Sequence, residues 1–111
     1  MLSVGRDNYR VPAALRAWLR VRDGACRFPG CNRRAGACDL DHTNDWHFDG
    51  VTAWDNLAHL CRKHHRLKHD GGWSVTQSNG ADGVGVLEWI SPSGRTYATY
   101  PSTQMGRPDA A

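Results

Sequence analysis

The chain of 111 residues holds no apolar run long enough to cross a bilayer, which takes about 20 consecutive apolar residues. Its opening, MLSVGRDNYR, lacks the apolar core of a signal peptide, so a cytoplasmic setting is expected rather than export. No segment repeats at a fixed period, which leaves out a repeat architecture. There are four cysteines but no C-x-x-C pair, and that argues against a thiol-redox or metal-storage role. Core-forming residues are few, with 40% hydrophobic content, twelve glycines and long polar stretches. A chain of this length makes one domain, and one this loop-rich calls for a staple such as a metal ion or disulfides. Cytosolic thiols stay reduced, so the cysteines read as metal ligands before they read as disulfides.

What is present is basic and locally concentrated. The net charge of +3 is a mild lean toward an acidic partner. Arg6, Arg10, Arg16, Arg20 and Arg22 lie near the start, and Arg62, Lys63, Arg66 and Lys68 fall within CRKHHRLKH, residues 61–69. The segment VPAALRAWLRVRDG reads as a helix, with Pro12 in its first turn and Gly24 at its end. Leu15, Trp18 and Leu19 make its apolar stripe. Arg16, Arg20 and Arg22 are placed off that stripe, on a face that is solvated or meets phosphate.

CRFPGC is a tight turn and CDLDHT a short extended stretch, followed by a loop rich in Asp, Asn and Gly. NLAHLC reads as a short strand or turn, and RKHHRLKHD as a helix ended by Gly71-Gly72. From Trp73 to Tyr100 the chain alternates β-formers with the turn signals SNGADG and SPSG, predicting two or three antiparallel strands. Residues 101–111 are polar, with two prolines, and are expected to be disordered.

Two separated ligand pairs stand out. Cys26 and Cys31 flank a turn, and Cys61 and His64 flank the start of a helix. Together they make a Cys3His set of the kind that holds structural Zn2+, similar to a treble-clef zinc knuckle. Cys38 is left as a small buried apolar group. His65 and His69 are i and i+4, on one helix face, and suit two ligands for one metal or one ligand and the partner that orients it. His64 and His65 point about 100° apart around the helix, so one stretch can serve two sites. Asp41 and His42 can join His65 only if the strand bends or ends there. Carboxylate with imidazole suits Mg2+, Mn2+ or Zn2+, and a spare histidine can act as a base near neutral pH. His47 and His59 are taken as surface residues, and Trp46, Trp54, Trp73 and Trp89 as packing residues.

The run CDLDHT…DGVTAWDNLAHLCRKHHRLKH resembles the HNH nuclease motif. The wider segment, roughly residues 6 to 90, looks like the HNH domain that closes many actinobacterial proteins of a large repeat-type family. The resemblance implies an α+β fold: a zinc-stapled ββα-metal (treble-clef) domain over residues 1–100, with its core at about 38–70. An N-terminal helix and a C-terminal hairpin or small sheet flank that core. It implies a DNA endonuclease with His42 as general base and Asp41 and His65 as ligands of the catalytic ion. His69 is a further ligand in some members. Asn56 would fix the loop and orient His42. Cys26, Cys31, Cys61 and His64 would take zinc, and Arg62, Lys63, Arg66 and Lys68 would hold the DNA backbone. The products implied carry 5′-phosphate and 3′-hydroxyl ends. Similar domains often have His at the place of Asp41 and Cys at the place of His64. The alternative is a non-catalytic zinc module that binds DNA or protein, which would not need Asp41, His42 and His65.

Overall fold

Leu15 and Leu19 are fully buried on one face of helix α1 (Ala13–Asp23), with Trp18 packed beside them. Their spacing dictates this, because i and i+4 side chains project together. The structure, a computed structural model, describes residues 11–43, 53–78 and 85–104. Pro12 stands just outside the helix as its N-cap, and Gly24 ends it at φ 68°. A short 3-10 turn (Ala35–Ala37) leads into strand β1 (Asp39–His42). A second one (Trp54–Asn56) leads into β2 (Leu57–Leu60), which pairs antiparallel with β1. Helix α2 (Arg62–Asp70) follows, and Gly71 caps it. Strands β3 (Ser74–Ser78), β4 (Val86–Ile90) and β5 (Thr96–Thr99) form a separate antiparallel sheet in that order. The described residues therefore make a small α+β unit with two helices and two antiparallel sheets.

Strand β2 is buried along its whole length because it divides two cores. Leu57 joins Leu15, Leu19 and Trp54 on one side. Ala58 and Leu60 join Cys26, Cys61, Leu87 and Trp89 on the other. The alternation of the pleat sorts them. Trp54 and Trp89 are core residues as expected, and Trp73 packs at the margin. SPSG is the β4–β5 turn, with Gly94 at φ 89°. SNGADG, Trp46, His47, Arg6 and Arg10 lie wholly or mainly outside the described residues.

Arg22 and His59 correct the sequence reading. Arg22 is fully buried rather than solvated, because it continues the Leu15–Leu19 stripe by one more turn. His59 is buried because it shares the α1-facing side of β2 with Leu57. Both converge on the buried carboxylate of Asp23. Its Oδ1 accepts from Arg22 Nε at 2.7 Å and Arg27 Nη1 at 2.9 Å. Its Oδ2 accepts from the His59 backbone N–H at 3.0 Å and lies 2.8 Å from His59 Nδ1. Arg22 donates onward to the carbonyls of Trp54 and Leu57, and Arg27 to those of Gly85 and Thr99. Gly85 is at φ 86°, and a Cβ there would sit 2.9 Å from Arg22 Cδ, so only glycine fits. Burial alone would raise the Asp23 pKa, but the His59 hydrogen bond and the Arg22 and Arg27 charges hold it far below the usual carboxylate range.

Part of the tail departs from expectation too. Ser102 Oγ donates to the Asp23 carbonyl at 2.9 Å and the Thr103 N–H to that of Arg22 at 3.3 Å. This start of the tail is tied to the end of α1, while residues 105–111 lie outside the described residues.

Replacing Asp23 with Asn keeps the shape but leaves two buried guanidinium groups without their counter-charge, at an expected cost of about 3–5 kcal/mol. A depressed folded-state pKa means that the carboxylate's contribution is complete above the ordinary Asp value and is lost as pH falls below it. Urea melts at about pH 7 and about pH 3 check both points. Wild type should lose stability between them, and the Asp23→Asn variant should lose less.

Candidate functional site

Helix α2 begins where β2 ends, so Cys61 leaves the buried strand and caps the helix in extended conformation. The Phe28–Gly30 turn, closed by the Cys31 N–H donating to the Phe28 carbonyl at 3.1 Å, brings Cys26 and Cys31 to the same place. The donor atoms of Cys26, Cys31, Cys61 and His64 all lie within 4.8 Å of one another. His64 Nδ1 is 3.6 Å from Cys26 Sγ and 3.3 Å from Cys61 Sγ. A tetrahedral ion with bonds of about 2.3 Å to S and about 2.0 Å to N separates such atoms by about 3.5 Å. The donor set therefore fits one ion. Phe28 stacks on the His64 ring at 4.0 Å and 7°, and Trp73 and Trp89 abut Phe28 edge-on. This holds the imidazole in place. Burial, then the Lys63 charge, lowers the His64 pKa, which keeps the ring neutral as a ligand must be. Burial pushes the Cys26 thiol up to about 12. For Cys61 burial acts in the same direction but is outweighed, chiefly by the His64 backbone N–H, so its pKa is lowered. Cys38 packs at the edge of this core and its thiol faces the Arg34 carbonyl at 3.3 Å.

The other side of α2 carries a second cluster. Asp41 Oδ1 lies 2.9 Å from His65 Nε2 and 3.4 Å from His69 Nε2, and the two imidazole nitrogens are 3.1 Å apart. These separations match the edges of a coordination face, since octahedral ligands at about 2.1 Å stand about 3.0 Å apart. One proton cannot satisfy all three atoms, whereas one cation can. Asp41 is buried, and burial opposes its ionisation. The His65 hydrogen bond and Lys68 nevertheless lower its pKa. The same bond to Asp41 raises that of His65, against its burial. Lys68 Nζ donates to Asp41 Oδ2 at 2.6 Å and to the His42 carbonyl at 2.7 Å. An open depression of about 380 Å³ beside the cluster is lined by Asp39, Arg62, His65, Arg66, His69 and Asp70.

The remaining expected site residues fall nearby. His42 ends β1 and is 8% exposed. Asp41 stands opposite Ala58 and His42 opposite Leu57, so a regular pleat directs the two side chains to different faces. The His42 imidazole is not among the donors of either cluster. Asn56 is buried, and its carbonyl accepts the Thr43 N–H at 2.9 Å, which extends the β1–β2 pairing past His42. Arg62, Lys63 and Arg66 are exposed on α2, and Arg62 reaches Asp39 at 3.1 Å. Lys68 departs from its expected role beside them. Its side chain is only 9% exposed, with its ammonium held by Asp41 and His42 rather than offered outward. Its sequence signal was its position, three residues after His65 on the same helix face. The stacking by Phe28 had no signal beyond its place between two cysteines.

The chain is 41% identical over 102 residues to the uncharacterized protein Rv3776 of Mycobacterium tuberculosis, covering 91% of this chain and 19% of that one. It is also 41% identical over 99 residues to the uncharacterized protein Rv2100 of the same organism, covering 88% of this chain and 17% of that one. The chain thus spans less than a fifth of these curated relatives. No family model matches it, and no solved structure matches it significantly.

Metal analysis of the purified protein should find one tightly held ion per chain at the cysteine cluster. Cys26→Ser or Cys61→Ser should remove that ion and lower the thermal midpoint, because the ion joins segments distant in sequence. A folded wild type with no bound metal would overturn the assignment.

Proposed function

We propose that this chain is a metal-dependent endonuclease of the HNH kind that hydrolyses DNA phosphodiester bonds. The observation that carries the reading is the convergence of Asp41 from β1 with His65 and His69 from α2; His42 is the next residue along β1, at its end. The succession of β1, β2 and α2, with the cysteine cluster at the β2–α2 junction, supports a ββα-metal unit stapled by a treble-clef knuckle. Zinc suits the Cys3His set, and Mg2+, Mn2+ or Zn2+ suits the carboxylate and imidazole set. A purely structural zinc module has no use for the second cluster, which favours the enzymatic reading.

In this reading Asp41 and His65, with His69, hold the divalent ion. When bound there, it would supply positive charge to offset the negative charge that grows on the scissile phosphate. His42 takes a proton from the attacking water as its oxygen bonds to phosphorus. The bond to the 3′-oxygen breaks and that oxygen takes a proton from solvent water, leaving 5′-phosphate and 3′-hydroxyl ends. Asn56 keeps the strand end in place so that His42 faces the phosphate. Exposed Arg62, Lys63 and Arg66 bind backbone phosphates, giving affinity without base choice. Cytoplasmic DNA is the substrate this reading requires, and among the described residues no helix is long and apolar enough to cross a membrane.

Purified protein with Mg2+ or Mn2+ should nick or cut plasmid DNA. His42→Ala should remove at least about 99% of the cleavage, in line with the usual worth of a general base, while leaving the zinc content unchanged and the protein folded. Equal cleavage by wild type and variant after rigorous purification would reject the assignment.

A further inference from the structure

The two oxygens of Asp41 are treated differently by their surroundings. Oδ1 faces both imidazole nitrogens, at 2.9 and 3.4 Å. Oδ2 is covered by the Lys68 ammonium at 2.6 Å. Lys68 cannot readily swing aside. Its side chain is 9% exposed, and a second N–H is spent on the His42 carbonyl at 2.7 Å. A buried charge that left both acceptors would lose two charge-assisted bonds with little water to replace them. The carboxylate therefore has one oxygen to give a cation, end-on.

That restriction is selective. Calcium takes six to eight oxygen ligands and often uses both oxygens of a carboxylate. Manganese and similar ions accept imidazole and fewer, shorter bonds. We infer that Lys68 is a positioning residue that caps one oxygen of Asp41, enforces end-on ligation by the other, and makes this centre discriminate against calcium in favour of smaller divalent ions. Lys68 touches neither cation nor substrate. It acts through Asp41 and, by holding the His42 carbonyl, keeps the strand end in register with the cluster. The inference rests on the metal reading of Asp41, His65 and His69, and not on which substrate is cut.

The test uses the full chain with its cysteine-cluster ion in place and no DNA. Free Mn2+ is counted by electron paramagnetic resonance, and Ca2+ is titrated as a competitor. Lys68→Met removes the donors while keeping most of the length of the side chain. Loss of one positive charge strengthens both cations alike, so the ratio of their affinities isolates the mode of binding. Wild type should favour Mn2+ strongly, and the variant should narrow the Mn2+-to-Ca2+ ratio by about tenfold or more, the usual scale for residues that orient a ligand. An unchanged ratio overturns the inference. Wild type also gives an independent measure should the variant fail to fold. With Asp carboxylates isotope-labelled, the infrared difference spectrum on adding Mn2+ should show the wide stretching-band separation of end-on ligation, and a narrow two-oxygen separation overturns the proposal. A wild type that cuts plasmid but shows no Lys68 effect on the ratio sinks this inference alone. One that shows the effect but never cuts sinks the nuclease reading alone.

Discussion

The buried carboxylate of Asp23 is the constraint on which the rest of the structure leans. It ends α1, receives two guanidinium groups and fixes the His59 backbone N–H in β2. Through Arg22 and Arg27 it also reaches the carbonyls that precede β2 and β4 and end β5. Ionised groups so deeply buried are costly unless paired; here two guanidinium groups share one carboxylate and spend further N–H groups on backbone carbonyls, while Arg27 Nε is left without a partner. Cys26 follows Asp23 by three residues and Cys61 follows His59 by two, so both halves of the cysteine cluster inherit their positions from this hub. The Cys61 N–H in turn donates to Cys26 Sγ at 3.3 Å, and the Arg27 N–H to the His59 carbonyl at 2.9 Å. The donor cage is thus assembled by hydrogen bonds between the same two segments that it links.

Helix α2 has no fully buried residue. It is held by what its side chains reach: His64 toward the cysteines, His65, Lys68 and His69 toward Asp41. Neighbouring residues on a helix point about 100° apart, so adjacent donors let a helix this short address two clusters. This is why the stretch is so dense in histidine. The two clusters are coupled mechanically, since one helix of nine residues positions both.

Much of this was legible in the sequence. Paired donors at Cys26 and Cys31, then Cys61 and His64, needed only spacing and a thin core to suggest a common ion. Asp41, His65 and His69 followed from a helix periodicity and one strand. The β-formers set between turn signals after Trp73 suggested two or three antiparallel strands, and the described residues there form a sheet of three. Arg22 and His59 were misread for one physical reason. The core was read from apolar residues alone, whereas a buried polar side chain obeys the same geometry once a partner exists. That partner, Asp23, is adjacent to one and 36 residues from the other, and no local pattern announces so distant a pairing. Lys68 was hidden by basic neighbours, which gave it the look of one more solvated charge.

The column of rings behind the cysteine cluster has a kinetic meaning. With Phe28 flat against His64 and two indoles closing on Phe28, the imidazole cannot rotate off a bound ion unless that stack comes apart. Rotamer entropy is already spent in the folded chain, and the step that frees the nitrogen is an unpacking event rather than a bond rotation. An ion held by the Cys3His set would therefore leave no faster than that aromatic stack opens, so its exchange rate would answer to residues that are not its ligands.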